Sequence, residues 1–377
     1  MHAGQSLVIH EVLPPEVLGF IFEEHAKLEW EAPTIDGLVC RFWGEIVLNT
    51  PRVWAYFNFT GSNQPSTKKL HLRLHRSGTA PLYIGIRDEG QQFIDRSVCD
   101  PFCDYHTRIA SLRIPYGDDN FFERRDFPYL RVLDIAHWTC RSLIEWGSMP
   151  ELQSLRLNGN TTFVMQLSEF APLKMLTLSY CPCTSILYHS QSLTTLMLHH
   201  VLLKDAIPGP VIFPSLTYLS VWGTRGLKPH INAPSLVTYH EDGDFRNETF
   251  SIPLPSLVEY GIYRPHLDPA KWHLPFPNIL RLAIRAGQRM LLSFFAILAN
   301  QPHILPALQT VSVGGTKGQG RLGIGSYQIS KRARKGIESL VLVRNEARNV
   351  KVVLCFETEA PLQIPMFFGG VSDSSIK

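Results

Sequence analysis

Several features that mark common protein classes are missing from this sequence of 377 residues. Its seven cysteines are odd in number and scattered, so they do not form the even, clustered set of a disulfide framework. Its longest apolar run, residues 290–299, is too short to cross a bilayer, and no charged start followed by an apolar stretch marks a secretory leader. We therefore expect a soluble chain in the cytoplasm, the nucleus or both.

The sequence also lacks a strong excess of one charge. It carries 36 basic and 33 acidic residues, which gives a net charge of +3. A domain dedicated to nucleic acid usually concentrates a larger basic excess on one surface. We expect neither a nucleic-acid nor a membrane partner, and the charge balance excludes no protein partner.

No group of residues has the pattern of a catalytic site. The histidines that such a site could use are His189, His199, His200 and His240. No serine or cysteine lies in a recognised nucleophile setting, and no paired acid motif is present. Gly318, Gly320 and Gly323 match a dinucleotide fingerprint in letters alone, because no amphipathic helix opens from them. We predict that the chain is not an enzyme, with no catalytic residues and no cofactor.

Metal-ligand spacing is incomplete as well. Cys99, Cys103 and His106 lie close together in the chain, but a zinc site would need a further ligand pair nearby. Cys181 and Cys183 likewise stand without partners at the spacing of a metal site. We therefore predict no metal site in this protein.

What the sequence does contain is a short repeated phrase between Ile109 and Val313. The phrase is an apolar residue, two variable residues, a second apolar residue, one variable residue and a third apolar residue. Its copies start at Ile109, Leu130, Leu152, Leu173, Leu193, Leu216, Leu236, Leu257, Ile279 and Leu308. Self-similarity at a nearly fixed period indicates a repeat solenoid, and about 3.3 Å per residue leaves each unit room for one strand and a short return.

The copies at Leu152 and Leu173 carry the phrase in full and end it with Asn160 and Cys181. With those residues the repeat resembles the leucine-rich repeat. The resemblance implies an α/β fold, a solenoid with a parallel β-sheet on its concave face.

The copy at Leu236 departs from this pattern. Tyr239 and Glu241 occupy its second and third apolar slots. A carboxylate that faces the core costs several kcal/mol unless it is paired. We expect a local distortion at this copy.

A compact helical module precedes the repeats. Pro14 and Pro15 suit the entry of a first helix, because a missing N–H does no harm in a first turn. A second helix is predicted from a cap at Thr34 to Val47, with apolar residues at steps of three and four. A third, short helix is predicted to start at Pro51.

Three stretches of this module resemble the F-box, in the version found ahead of degenerate leucine-rich repeats in fungal proteins. They are Leu13-Pro14-Pro15-Glu16, Leu38-Val39-Cys40-Arg41-Phe42-Trp43 and Pro51-Arg52-Val53-Trp54. The resemblance implies docking on a Skp-type adaptor through Leu13, Pro14, Pro15, Ile21, Leu38, Val39 and Trp43. The alternative is a helical cap that protects the first strand of the solenoid.

The chain is thus divided into four parts: an F-box module at 1–57, connecting strands with an irregular first repeat at 58–107, the solenoid at 108–356, and a tail at 357–377. In the connecting part, alternating apolar residues predict strands at 70–74 and 82–86. In the solenoid, we predict a helix at 288–300 and a closing strand at 337–356. The basic run 331–335 is typical of a solvated turn, with a nuclear import signal as the alternative.

Together the two resemblances imply the substrate-recognition subunit of an SCF-type E3 ubiquitin ligase. In that family the adaptor links the F-box to a cullin and a RING subunit, and the repeats hold a protein substrate. The alternative is a leucine-rich-repeat scaffold or ligand sensor that acts independently of ubiquitin.

The substrate-binding residues are predicted from the strand period, which turns the residues between the apolar ones to the concave face. Aromatic side chains flanked by charges are typical of protein-binding hot spots. The predicted residues are His199, Tyr218, Trp222, Asp242, Glu259, Tyr263, Arg281 and Arg285.

Overall fold

The computed structural model describes residues 13–60, 63–87, 96–117, 119–122, 124–138, 147–159, 173–180, 191–201, 211–224, 231–242, 254–263, 278–301, 303–316, 326–327, 329–348 and 352–356. The chain forms two compact units, Met1–Leu173 and Lys174–Lys377. No helix in these described ranges is long and apolar enough to cross a membrane. Three predictions lie outside them, namely the glycine motif at 318–323, Cys181 with Cys183, and the tail at 357–377.

The first unit opens with helices that partly match the prediction. They are α1 (Pro15–Leu28), α2 (Ala32–Val39), α3 (Arg41–Leu48) and a 3₁₀ turn at Pro51–Trp54. The single second helix predicted from Thr34 to Val47 is wrong, because Cys40 takes an extended conformation between α2 and α3. The two helices approach closely at glycines, since a Cβ on Gly44 would lie 3.0 Å from the carbonyl oxygen of Gly37.

The predicted strand at 70–74 is also wrong, since this stretch forms helix α4 (Thr67–Arg76). Leu70 and Leu74 are buried four residues apart, whereas Leu72 is 50% exposed. Ser66 caps the helix by accepting a hydrogen bond from the backbone N–H of Lys69 at 3.4 Å. The leucines therefore follow the helical period rather than the strand period.

Five parallel strands complete the first unit. They are β1 (Tyr56–Thr60), β2 (Leu82–Arg87), β3 (Ile109–Gly117), β4 (Val132–Trp138) and β5 (Ser154–Asn158), paired in chain order. A 3₁₀ stretch at Arg96–Arg108 and a short helix α5 (Asp119–Phe122) lie between them in the chain. Strand β2 confirms the predicted strand at 82–86.

The second unit continues the same strand pattern. Its main strands are β6 (Met175–Ser179), β7 (Thr195–His199), β9 (Tyr218–Trp222), β11 (Thr238–Asp242), β12 (Glu259–Tyr263), β13 (Arg281–Ala286) and β14 (Thr310–Thr316), all parallel neighbours in this order. The strands β8 (Val211–Ile212) and β10 (Ile231–Asn232) form a separate parallel pair, and β15 (Ser326–Tyr327) pairs with β14 antiparallel. The prediction of an α/β chain with a parallel sheet is confirmed.

A proline turn leads into many of these strands. The backbone N–H of the first leucine of a copy donates to the carbonyl three residues earlier, as in Leu152 to Met149 at 3.1 Å and Leu257 to Leu254 at 3.2 Å. Proline occupies the second position of each such turn, where its fixed φ is favourable. The apolar residue before the proline is buried, so the turn and the core are built from the same four residues.

Two helices and one strand close the second unit. The helix α6 (Gln288–Asn300) has the predicted bounds and is followed by α7 (Lys331–Arg348) and β16 (Val353–Phe356), which pairs with β14. The predicted closing strand is therefore wrong for 337–348, and the basic run begins a helix rather than a turn. Ala333, Ile337, Val341 and Arg344 are buried at spacings of four, four and three, which is the helical period.

The distortion expected at the Leu236 copy does not occur. Strand β11 keeps its register with both neighbours, pairing Tyr239 with Leu219 on one side and with Tyr260 on the other. The side chain of Glu241 is buried, and both Tyr239 and Tyr260 donate their hydroxyl hydrogens to it. Pairing by two hydroxyls compensates the buried carboxylate, so the backbone stays regular.

Candidate functional site

The three helices at the start of the first unit share one core with the 3₁₀ turn and with Tyr56 of β1. Leu18, Phe22, Val47 and Val53 are almost fully buried there. The indole N–H of Trp54 donates to the backbone carbonyl of Val47 at 2.8 Å, so the buried donor is satisfied. The helical module therefore does not need its remaining apolar side chains for its interior.

Those remaining side chains form a second, exposed set on the same helices. It consists of Val17, Phe20, Ile21, Leu28, Ile35, Leu38, Val39 and Leu48. We call it the exposed apolar set of α1–α3. Leu38 is 81% exposed and Phe20 is 62% exposed. Exposed large apolar residues in such number mark an interaction surface.

The predicted adaptor-binding residues divide between this set and the core. Ile21, Leu38 and Val39 belong to the exposed set, and Pro14 and Pro15 are exposed beside it. Leu13 and Trp43 are half-buried and pack against the core of the module.

Sequence reasoning missed five members of the exposed set. These are Val17, Phe20, Leu28, Ile35 and Leu48. The width of the apolar stripe, which exceeds what a small module can bury, is the sequence signal that could have found them.

A buried arginine joins the helical module to the rest of the first unit. Arg73 on α4 donates to the backbone carbonyls of Trp30, Trp54 and Tyr56, the last at 2.6 Å. Its guanidinium also lies 4.2 Å from the ring centroid of Trp30. Burial lowers the pKa of Arg73 to about 9, so the group is still protonated at neutral pH. The turn after α1, the 3₁₀ turn and β1 are thus held by one side chain.

The polar residues of β6 to β14 that alternate with the buried ones form the second candidate surface, which we call the polar face. The strand register brings the predicted substrate-binding residues into rows. His199 is paired with Trp222, Asp242 with Tyr263, and Tyr263 with Arg285. A second row runs through Tyr218, Thr238, Glu259 and Arg281. All eight predicted residues therefore lie on neighbouring strands, as the repeat spacing predicted.

Exposure differs from the prediction along these rows. His199 and Arg285 are buried, Tyr218, Trp222 and Glu259 are half-buried, and Arg281 is exposed. The side chains of Asp242 and Tyr263 are outside the described part of the structure. Among the six residues whose side chains the structure describes, Arg281 therefore offers the most accessible charged group.

Four side chains of the polar face form a connected polar network across four strands. The Tyr218 hydroxyl lies 3.4 Å from Nδ1 of His240, and Nε2 of His240 lies 3.7 Å from Oε1 of Glu259. Oε2 of Glu259 accepts a hydrogen bond from Nε of Arg281 at 3.0 Å. The interaction with His240 lowers the pKa of the Glu259 carboxyl, burial opposes this, and Arg281 reinforces it. Burial raises the pKa of Tyr218.

His240 has this position because its neighbour on β12 is a glycine. A Cβ on Gly261 would lie 2.5 Å from Cδ2 of the His240 ring, which no real side chain allows. His240 itself is 6% exposed. The strand period places His240 on this face, since it lies between Tyr239 and Glu241, but His240 was not among the predicted substrate-binding residues.

Two ring stacks lie at the carboxyl ends of the neighbouring strands. Tyr180 stacks on His200 with centroids 4.9 Å apart, and His199 stacks on Trp222 at 6.0 Å. Tyr180, His200 and Gly223 follow β6, β7 and β9 and all have positive φ, 57°, 51° and 59°. A left-handed residue thus ends three successive strands, and two of these residues carry exposed rings that the sequence analysis did not predict.

In the first unit, the side chains of Cys103 and His106 interact with backbone carbonyls. The thiol of Cys103 donates to the carbonyl of Cys99 at 3.9 Å, and Nδ1 of His106 lies 2.9 Å from the carbonyl of Cys103. Across the described ranges, no three His, Cys, Asp or Glu side chains come together in a way that would hold a metal ion.

No family model, curated protein or solved structure matches the chain. The two surfaces are therefore interpreted from their own geometry. The exposed apolar set can contribute area and desolvation to a protein contact, and the polar face can contribute rings and one accessible cation.

Proposed function

We propose that this chain is the substrate-recognition subunit of an SCF-type E3 ubiquitin ligase. In this proposal the three-helix module is an F-box that docks on a Skp-type adaptor. The adaptor links it to a cullin and a RING subunit. The parallel strands belong to a leucine-rich-repeat solenoid whose concave face, the polar face described above, binds a protein substrate.

The observation that supports adaptor docking best is the exposed apolar set of α1–α3. The module has a complete core, yet Ile21, Leu38 and Val39 lie outside it with large exposed fractions. Apolar side chains of this size gain free energy when a partner removes them from water, at roughly 25 cal/mol per Å². A mere cap would bury its apolar face on the first strand, and these three side chains are not buried.

In this proposal the chain positions a substrate and does not itself transfer ubiquitin, so it needs no catalytic residue and no cofactor. It acts in the cytoplasm, the nucleus or both. The basic run at the start of α7 is compatible with import, because Lys331, Arg332, Arg334 and Lys335 are all exposed.

The test is capture of a purified Skp-type adaptor by the full chain. Replacing Leu38 and Val39 together by aspartate should abolish capture, because two charges would be buried in the contact. Both residues are exposed, so thermal unfolding should stay nearly unchanged.

The matched control replaces Leu342 and Val343 by aspartate. These residues are 58% and 51% exposed on α7, in the other unit. Capture should be unchanged in this control. Adaptor capture that survives the Leu38 and Val39 substitutions would contradict the F-box proposal, and a chain that captures protein partners but no adaptor would instead be a scaffold or sensor independent of ubiquitin.

A further inference from the structure

Among the charged residues of the polar face whose side chains the structure describes, Arg281 is the most exposed, and it is also held by a hydrogen bond. Its side chain is 53% exposed, and its Nε donates to Glu259 at 3.0 Å. Within the described part of the chain, this is the hydrogen bond that the guanidinium makes. The fork formed by its two terminal NH₂ groups therefore remains available to a ligand.

The Glu259 carboxylate, which pairs with Arg281, also contacts a second side chain of the polar network. Glu259 lies against His240, which is buried and lies within 3.4 Å of the Tyr218 hydroxyl. A long side chain such as arginine normally loses much rotamer freedom when it binds. The contacts of Glu259 with Arg281 and His240 orient the arginine before a ligand binds, and so they reduce the entropy that is lost on binding.

The guanidinium chemistry of Arg281 favours an anion as its ligand. Arg285 lies four residues further along β13 and on the same face, but it is buried and has contacts of its own. Arg281 is therefore the accessible guanidinium of this strand, and its Nε is paired with Glu259. Two oxygens on one carboxylate or phosphate match the spacing of the guanidinium fork.

We propose that Arg281 binds a two-oxygen anion on an extended partner segment, and that Glu259 and His240 position it. The anion is a carboxylate of an acidic segment or a phosphate, which share this recognition chemistry. The inference rests on the proposed function in one respect, that the polar face binds a protein segment. It does not depend on adaptor docking.

The test measures binding of short fluorescent Gly-Ser peptides to the full chain by fluorescence anisotropy. The protein is titrated into each peptide up to about 1 mM. Three peptides carry glutamate, phosphoserine or glutamine at the same positions. We expect the glutamate or the phosphoserine peptide to bind more tightly than the glutamine peptide, and the tighter of the two identifies the source of the anion.

Arg281→Gln should weaken binding of the anionic peptide by about tenfold, because a paired charge-assisted contact is lost. Arg281→Lys should not restore it, since lysine has no fork. Arg41→Gln is the matched control. Arg41 is 94% exposed and its Nε lies 3.1 Å from Glu45, so the same kind of pair is removed from the other unit. Its effect should stay within about twofold.

The positioning role is tested with Gly261→Ala, which forces the His240 ring to move. This variant should reduce the preference for the anionic over the glutamine peptide, whereas a packing defect alone would weaken both peptides equally. Circular dichroism would verify that each variant is folded.

Equal binding of all three peptides, absence of binding, or equal effects of Arg281→Gln and Arg41→Gln would overturn the proposal. Adaptor capture is measured separately, so failure of the F-box proposal is recognised independently.

Discussion

Tyr260 donates its hydroxyl hydrogen to Glu241, a carboxylate that is 7% exposed and lies on the core side of the sheet. Tyr239 donates to the same carboxylate at 2.8 Å, and the two phenol rings are stacked with centroids 5.8 Å apart. Burial raises the pKa of Tyr260 well above its ordinary value, and Glu241 raises it further, so the phenol remains a donor. This cluster replaces the apolar pair of an ordinary copy.

Removal of one hydroxyl should therefore destabilise the second unit. We expect Tyr260→Phe to lower the free energy of unfolding by about 1–3 kcal/mol, because Glu241 loses one of its hydroxyl donors in a buried place. Urea unfolding followed by circular dichroism measures the change. Restoring apolar character throughout, with Tyr239→Phe, Glu241→Leu and Tyr260→Phe together, should recover much of the loss, since the buried carboxylate and the two hydroxyls that donate to it are removed together. If Tyr260→Phe leaves the free energy of unfolding unchanged, the Glu241 carboxylate does not depend on the Tyr260 hydroxyl.

The arginine that joins the helices to β1 gives a second prediction. Arg73→Met should lower the free energy of unfolding of the first unit by about 3 kcal/mol or more, because three backbone carbonyls lose a charged donor. Arg76→Met on the same helix is the control. Arg76 stacks over Trp54 at 4.5 Å and is half-buried, so about 1 kcal/mol or less is expected. Comparable losses in the two variants would assign the effect to helix propensity instead.

Arg344 plays a corresponding role near the end of the second unit. It donates to the carbonyl of Leu298 at 3.0 Å, of Ile304 at 2.6 Å and of Leu305 at 2.8 Å, and so satisfies carbonyls at and beyond the end of α6. Arg344→Met should increase amide hydrogen exchange in the last turn of α6 more than in β13. Arg332→Met, which changes an exposed arginine of α7, should leave exchange unchanged. Uniform exchange increases throughout the unit would contradict a local capping role.

Acidification should weaken the polar network in a definite direction. The pKa of Glu259 is lowered in the folded chain, so its contribution to stability is fully present above the ordinary glutamate value of 4.5 and is lost as pH falls through the lowered pKa. The stability difference between the parent chain and Glu259→Gln should therefore shrink below that pH. Unfolding curves at a series of pH values measure it. A difference that grows on acidification would mean that burial, rather than His240 and Arg281, dominates the carboxyl group.

Local rules in the sequence were sufficient for the strands of the repeated phrase. The repeated leucine phrase and its proline turn use residues that are neighbours in the chain, and Leu155, Leu176 and Leu219 are buried as predicted. The bounds of α6 followed in the same way, from an apolar, proline-free stretch. Repeat spacing also predicted which residues share a row, because one fixed period determines the register of each neighbouring strand.

Local rules failed where one pattern suits two structures. Leu70 and Leu74 fit alternation and the helical period equally, and the helix forms because Ser66 caps it and Arg73 is buried with the leucines. The stretch 337–348 became a helix for the same kind of reason, since its buried residues recur at helical spacing against α6. The apolar spacing that predicted one second helix continues through Cys40 and hides the break there.

The sequence by itself determined a parallel α/β sheet built from repeats, preceded by helices with more apolar surface than they can bury. Only the tertiary structure decided what the unusual residues do. Glu241 meets Tyr260, and Glu259 meets Arg281, across about 20 residues of chain. Such contacts depend on side-chain directions and on an open space such as that above Gly261, and neither is encoded in a period. Packing therefore determined whether each polar residue is a defect, a positioning group or an accessible binding group.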